Sequence, residues 1–76
     1  MIFEVRADGH FGVQLGNIRK TMHPKVSQTE LAKRIGTSSS NLSHFERGDN
    51  TRGNGSIDTA LRHAKGLGAV ELRFIL

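Results

Sequence analysis

Four hydroxyl-bearing residues, Thr37 to Ser40, stand side by side in the middle of the chain and lead into Asn41 and, one turn later, His44. Hydroxyl, amide and imidazole groups both donate and accept hydrogen bonds, so this segment could read the polar edges of another molecule. The same residue types also favour capping turns, where they bond only to nearby backbone and water. The residues on either side must decide which role applies.

Catalytic and metal-binding patterns are not found elsewhere in the sequence. The four histidines show no metal-ligand spacing and no local carboxylate partner. No nucleophile stands beside a base, and "GNG" at 53–55 does not follow a strand, as a phosphate-binding loop would. We therefore predict no enzyme, no catalytic residue, no metal and no cofactor.

Length and charge narrow the class of protein. The 76 residues allow one domain, 1–76, and a net charge of +4 with a pI near 10.4 favours a polyanionic partner. Cysteine is absent, which indicates a reducing compartment. The sequence has neither an apolar run that could cross a membrane nor a signal-peptide pattern at its start, so we expect a cytoplasmic protein without a membrane partner.

Helical patterns occupy residues 12–68, between a strand-like N-terminal stretch, 1–8, and a strand-like C-terminal stretch, 69–76. Ser27 and Glu30 form a capping-box pattern at the start of one helix. The last helix is predicted to bury a face made of Ile57, Ala60, Leu61, Ala64 and Leu67.

The C-terminal stretch alternates apolar and charged residues, as a strand with one buried face does. Its apolar side comprises Val70, Leu72, Phe74 and Leu76. A lone strand must pair, either with the opposite terminus or with a second chain. The chain is thus predicted to be mainly α, with four to five helices and short N- and C-terminal β-strands.

Two helices that meet at a short turn account for residues 28–45. Ala32 supplies a small residue where the second helix crosses the first, and Gly36 supplies a turn with positive φ. Leu42 and Phe45 direct the apolar side of the second helix back toward the first. Together these features predict a helix-turn-helix.

The stretch "SQTELAKRIGTSSSNLSHFERG" resembles the helix-turn-helix of the lambda-repressor-like, Xre-type regulators. The matching positions are Ser27, Gln28, Leu31, Ala32, Gly36, Ser38, Leu42, Ser43, Phe45, Glu46 and Gly48. The likeness extends over about residues 12–70, although the connection "KTMHPKV" is longer than usual and an N-terminal strand is not part of the minimal pattern. The C-terminal strand is similar to that of HipB-type antitoxins, in which such strands pair across a dimer.

The resemblance implies that a helix over 38–47 enters the major groove of double-stranded DNA, at the nucleoid. The implied base contacts are Ser38, Ser39, Ser40, Asn41 and His44. The implied phosphate contacts are Gln28, Lys25, Arg47, Asn50, Thr51 and Arg52. Serine discriminates bases poorly, so Asn41, His44 and DNA shape are expected to carry more of the specificity. Arg62 and Lys65 are expected to lie away from the groove.

Glu46 would be repelled by DNA, which indicates a structural role beside those of Ala32 and Gly36. The family often places an arginine of the first helix against this glutamate. Arg19 is the natural candidate for that pair, and Lys20 is the second.

The resemblance leaves two roles open, a homodimeric repressor on a two-fold operator and an antitoxin that binds a toxin protein and its own promoter. In both, Val70, Leu72 and Phe74 are the predicted dimerisation residues. RNA binding is less favoured, because four Phe and no Tyr or Trp offer few rings on which single-stranded bases could stack.

Overall fold

The computed structural model describes residues 1–49 and 55–76. The elements are β1 Ile2–Arg6, α1 Phe11–Thr21, α2 Gln28–Ile35, α3 Ser39–Arg47, α4 Ile57–Gly66 and β2 Glu71–Ile75. They confirm a mainly α fold with short terminal strands, although both strands are shorter than the stretches 1–8 and 69–76. No helix in the described part of the chain is long and apolar enough to span a membrane.

Three helices begin at a serine whose hydroxyl oxygen accepts the backbone N–H of the residue three positions later. Ser27, Ser38 and Ser56 make these bonds at 3.1, 3.0 and 3.2 Å. Such caps satisfy N–H groups that have no partner within the helix. The capping box at Ser27 is not completed, because the Glu30 carboxylate lies 3.3 Å from Arg34 Nε instead. An (i, i+4) ion pair thus takes the place of the predicted reciprocal bond.

The core lies where the helices meet the inner face of the sheet. Its buried apolar residues are Phe3, Val5, Phe11, Leu15, Val26, Leu31, Ala32, Leu42, Phe45, Ala60, Ala64 and Leu67. The largest fully buried apolar side chains, Leu15, Leu31 and Leu42, come one each from the first three helices. Each of those helices therefore contributes a leucine to the same apolar interior.

The buried face of α4 differs from the one predicted. Its buried residues repeat at helical spacing; they are Ala60, His63 and Ala64, and the buried C-cap Leu67 continues the pattern. Ile57 and Leu61 were predicted to face inward, but they are 57% and 48% exposed. Ala60, Ala64 and Leu67 are buried as predicted, and the sequence pattern missed His63 because it is a polar residue in an apolar stripe.

Helix α1 packs closely on the end of α3 because two glycines face it. A Cβ atom at Gly12 would overlap the backbone carbonyl oxygen of Phe45, and one at Gly16 would press on the Glu46 side chain at 3.0 Å. The glycines are four residues apart and so lie on one face of α1. Small residues at these two positions allow α1 to approach α3, the helix predicted to enter the major groove.

The two strands pair with each other within one chain, in parallel. Phe3 lies opposite Leu72 and Val5 opposite Phe74, and these side chains face the core. The ring of Phe74 meets that of Phe11 edge-on, with centroids 4.9 Å apart. The apolar side of the C-terminal stretch is therefore shorter than predicted.

Val70 and Leu76 do not share that side. Val70 is 82% exposed and Leu76 is fully exposed, because both lie outside β2. Of the predicted dimerisation residues, Leu72 and Phe74 thus pack on their own core, while Val70 faces outward.

Candidate nucleic-acid interface

Helices α2 and α3 are joined by a tight turn. Gly36 ends α2 with φ 74° and ψ 37°, a left-handed conformation that glycine adopts without steric cost. The Thr37 N–H then donates to the carbonyl of Ala32 at 3.0 Å, and Ser38 caps α3. Ala32 is 3% exposed where the helices pack together. The predicted helix over 38–47 is in fact Ser39–Arg47, with Ser38 as its N-cap.

The first turn of α3 presents polar side chains to solvent. Ser39, Ser40 and Asn41 are exposed, whereas Leu42 and Phe45 on the other side of the helix are buried. The amide nitrogen of Asn41 lies 3.4 Å from Thr37 Oγ1, a long hydrogen bond that a better acceptor could replace. The predicted base-contact residues therefore lie together on an exposed surface.

His44, one turn further along, belongs to a surface cluster at the end of α3. Its Nδ1 atom lies 3.2 Å from Asp49 Oδ1 and 3.1 Å from a guanidinium nitrogen of Arg47. Arg47 Nε also lies 3.1 Å from Asp49. The histidine thus has a nearby carboxylate partner, contrary to the prediction from the sequence. Loss of water acts to raise the pKa of the Asp49 carboxyl, but the His44 hydrogen bond and the charges of Arg47 and His44 lower it overall.

The predicted phosphate contacts have different surroundings. Lys25 and Arg47 are exposed. Gln28 is half-buried at the start of α2, and its amide nitrogen donates to Glu46 Oε1 at 3.0 Å. That bond directs the side chain toward α3. The predictions at Asn50, Thr51 and Arg52 lie outside the described residues.

In the last turn of α3, Glu46 is buried and accepts hydrogen bonds from side chains of three other helices. Arg19 of α1 binds it with two bonds, Nε to Oε2 and a terminal nitrogen to Oε1, both at 2.9 Å. Arg19 also donates to the Val26 carbonyl at 3.0 Å. Gln28 comes from α2, and His63 of α4 places Nε2 2.8 Å from Glu46 Oε2. Of the two predicted partners, Arg19 and not Lys20 makes the ion pair.

His63 is the residue in this network that sequence reasoning did not assign. It is fully buried, and its ring lies 5.8 Å from that of Phe45. Because the Glu46 carboxylate only accepts hydrogen bonds, His63 Nε2 must carry the hydrogen. Its Nδ1 atom has no hydrogen-bond partner within the residues that the structure describes. The only sequence signal was a histidine at an apolar position of the α4 stripe.

The network sets the charge state of Glu46. Burial alone would raise the pKa of this carboxyl, but hydrogen bonds from His63, Arg19 and Gln28, together with the Arg19 charge, outweigh that effect. They lower the pKa from 4.5 to about 2. Glu46 is therefore ionised and neutralised by Arg19 inside the protein, and it presents no free negative charge on the surface of α3.

Residues 1–49 and 55–76 contain no candidate metal-binding site. No group of three histidine, aspartate or glutamate side chains comes together there in a way that could hold a metal ion. The exposed side chains of α3 offer hydrogen-bonding groups and charges that could contact another molecule.

Comparison with known proteins identifies the family. A helix-turn-helix family matches the chain over residues 16–75, which extends from α1 through the α2–α3 turn to β2. No curated protein and no solved structure matches the chain. The chain therefore belongs to the helix-turn-helix family of the Xre and lambda-repressor type and is a DNA-binding regulator.

Proposed function

We propose that the protein is a sequence-specific repressor of transcription that binds double-stranded DNA as a homodimer and reads the major groove with α3. The observation that carries this proposal is the exposure of Ser39, Ser40 and Asn41 on the first turn of α3. In a helix-turn-helix, the N-terminal residues of the second helix contact the base edges. Repression follows from occupancy, because a regulator bound at a promoter blocks other proteins from the same DNA.

Asn41 and His44 are the residues best suited to choose a base. The Asn41 amide pairs a donor with an acceptor, which matches the N6 and N7 edge of adenine. Serine hydroxyls can satisfy any base edge, so Ser39 and Ser40 tolerate several sequences. We infer that they contribute water-mediated contacts and sensitivity to DNA shape.

Phosphate contacts would hold α3 in register. Lys25 is exposed just before α2, and the Arg47 side chain is 59% exposed at the end of α3. The pair between Arg47 and Asp49 is a surface pair, and such pairs contribute at most about 1 kcal/mol, so Arg47 can exchange Asp49 for a phosphate at small cost. Contacts of this kind fix orientation and carry no sequence information.

The dimer would form beside the C-terminal strand. Leu61 and Val70, both exposed, border a groove of about 470 Å³ between α4 and β2. Lys65 and Glu71 line the same groove. In a two-fold interface, residue i of one copy meets residue j of the other, so a patch with both charges can complement itself. A second copy of the chain is therefore the partner that we propose for this groove.

The test of the reading surface is the triple substitution Ser39→Ala, Ser40→Ala and His44→Ala. These residues are not in the buried core, so the fold should survive, as far-ultraviolet circular dichroism can show. Preference among DNA sequences should be lost, while weak non-specific binding at low salt remains. A triple variant with the sequence preference of the parent would disprove the assignment of this surface.

A further inference from the structure

A cleft opens between the start of α3 and the first turns of α4. Its volume is about 260 Å³, and it is lined by Ile35, Thr37, Asn41, Leu42, Phe45, Ser56, Thr59 and Arg62. Among the described residues, the lining has one cation, three hydroxyl groups and one amide, and no acidic side chain. Such a set of hydrogen-bond donors around a positive charge suits an anion with several acceptor oxygens.

The cleft is continuous with the predicted reading surface. Asn41 lines it and belongs to the exposed first turn of α3, and Thr37, which also lines it, lies just before the N-cap Ser38. A duplex whose major groove receives that turn has sugar–phosphate backbone on both sides of the groove. We therefore expect backbone phosphates to lie near the mouth of the cleft when α3 occupies the groove.

Arg62 is held only loosely where it stands. Its Nε atom lies 3.3 Å from Asp58 Oδ2, and the two side chains are 65% and 73% exposed. Surface ion pairs of this kind contribute little stability, so the guanidinium can turn to another anion at small cost. Arg34 on α2 is held more firmly than Arg62, because it pairs with Glu30 and also donates to the Gly66 carbonyl at 3.1 Å.

We propose that this cleft binds a backbone phosphate of the DNA, with Arg62 as its cation and Thr37 and Thr59 as hydroxyl donors. The inference rests on the proposed function and adds a contact from α4, a helix that the sequence placed away from the groove. Arg62 takes bidentate hydrogen bonds to the phosphate, which replace its bond to Asp58. Asp58 competes with the phosphate and weakens DNA binding.

Non-specific binding to a duplex of arbitrary sequence tests the contact without knowledge of the operator. The affinity of each variant is measured by fluorescence anisotropy over a series of salt concentrations. For Arg62→Gln, the slope of log K against log salt should fall in magnitude by about 0.9, the share of one phosphate, with a several-fold loss of affinity at fixed salt. Arg73→Gln is the matched control, because Arg73 is an exposed arginine on β2 outside the cleft.

A second test of the cleft uses a variant that is expected to bind duplex DNA more tightly. Asp58→Asn frees Arg62 and should strengthen duplex binding several-fold, whereas Glu4→Gln removes an exposed carboxylate that pairs with Arg73 and should have a smaller effect. The inference is overturned if Arg62→Gln has the same slope as Arg73→Gln, or if Asp58→Asn gains no more than Glu4→Gln. A parent protein that binds no duplex at low salt would instead overturn the proposed function itself.

A titration with inorganic phosphate tests whether the cleft binds the DNA backbone or a free phosphate ion. The amide signals of Thr37 and Thr59 are followed by NMR as inorganic phosphate, and then duplex, is added at constant ionic strength. The duplex alone should shift them in a saturable way. Saturable shifts with inorganic phosphate alone would contradict the assignment to the DNA backbone.

Discussion

The Nε2 atom of His63 lies 2.8 Å from Oε2 of Glu46, and both side chains are buried. Arg19 and Gln28 donate to the same carboxylate, so α1, α2, α3 and α4 each contribute one side chain to a single network. The carboxylate belongs to α3, the helix that presents the predicted base contacts. Its hydrogen bonds therefore fix how that helix is oriented on the other three.

Replacement of His63 should reveal the stability that this bond contributes. We expect His63→Ala to lower the free energy of unfolding by about 3 kcal/mol, because it removes a hydrogen bond to a charged group and leaves a cavity. His63→Leu fills most of that space and should cost about 1–2 kcal/mol. Urea denaturation measures both, with His23→Ala, at an exposed position, as a control within about 0.5 kcal/mol of the parent. A His63→Ala protein as stable as the control would show that the bond contributes nothing.

Acid should weaken the protein through Glu46. The pKa of this carboxyl is about 2 in the folded protein and 4.5 without its partners, as in the unfolded chain. Its contribution to the free energy of unfolding is therefore complete above pH 4.5 and is lost as the pH falls toward 2. The shift corresponds to about 3 kcal/mol in full, of which about 2 kcal/mol should be lost by roughly pH 3. The measurement is the difference in unfolding free energy between the parent and Glu46→Gln, which should narrow as the pH falls from about 5 to 3. A difference that stays constant over this range would contradict the network as described.

Single substitutions on α3 should separate residues that choose a base from residues that tolerate several. Asn41→Ala should reduce discrimination against a changed base pair by about 1–3 kcal/mol, whereas Ser39→Ala and Ser40→Ala should reduce it by less. Competition binding between two duplexes that differ at one base pair gives these values. Lys25→Gln, at a proposed phosphate contact, should weaken binding equally to both duplexes. Equal losses for asparagine and serine would refute the division of roles.

Charged substitutions in the groove between α4 and β2 should break the dimer. Val70→Glu and Leu61→Glu place a carboxylate on apolar surface that we propose to be covered by a second copy, so both variants should sediment as monomers. Ile57→Glu is the control, because Ile57 is equally exposed on α4 but does not line the groove. Substitution is a cleaner test than removal of residues 70–76, since Leu72 and Phe74 are partly buried and pack against the core. A Val70→Glu protein that remains dimeric would place the interface elsewhere.

Features that depend on neighbouring residues were predicted well from the sequence. The cap at Ser27 and the glycine at Gly36 are local devices, since the cap and the N–H that it accepts are three residues apart. The turn, the two helices around it and the short terminal strands followed from such signals. The serines of this stretch are thus divided between a cap, Ser38, and an exposed surface, Ser39 and Ser40.

Features that depend on distant residues were predicted only where the family resemblance implied them, as it did for the ion pair between Arg19 and Glu46. Glu46 and His63 are 17 positions apart, and nothing in the sequence between them indicates that they meet. The pairing of β1 with β2 also joins opposite ends of the chain, so only the packed helices could bring the strands together.

Selection of bound sequences from random double-stranded DNA tests the central claim most directly. The account predicts enrichment of two short inverted half-sites whose centres are about 34 Å apart, one helical turn, because a two-fold dimer presents two α3 helices to successive major grooves. Conserved base pairs between the half-sites would report shape readout. Recovery of sequences with no common motif would contradict a sequence-specific repressor, and recovery of one unrepeated half-site would contradict the dimer.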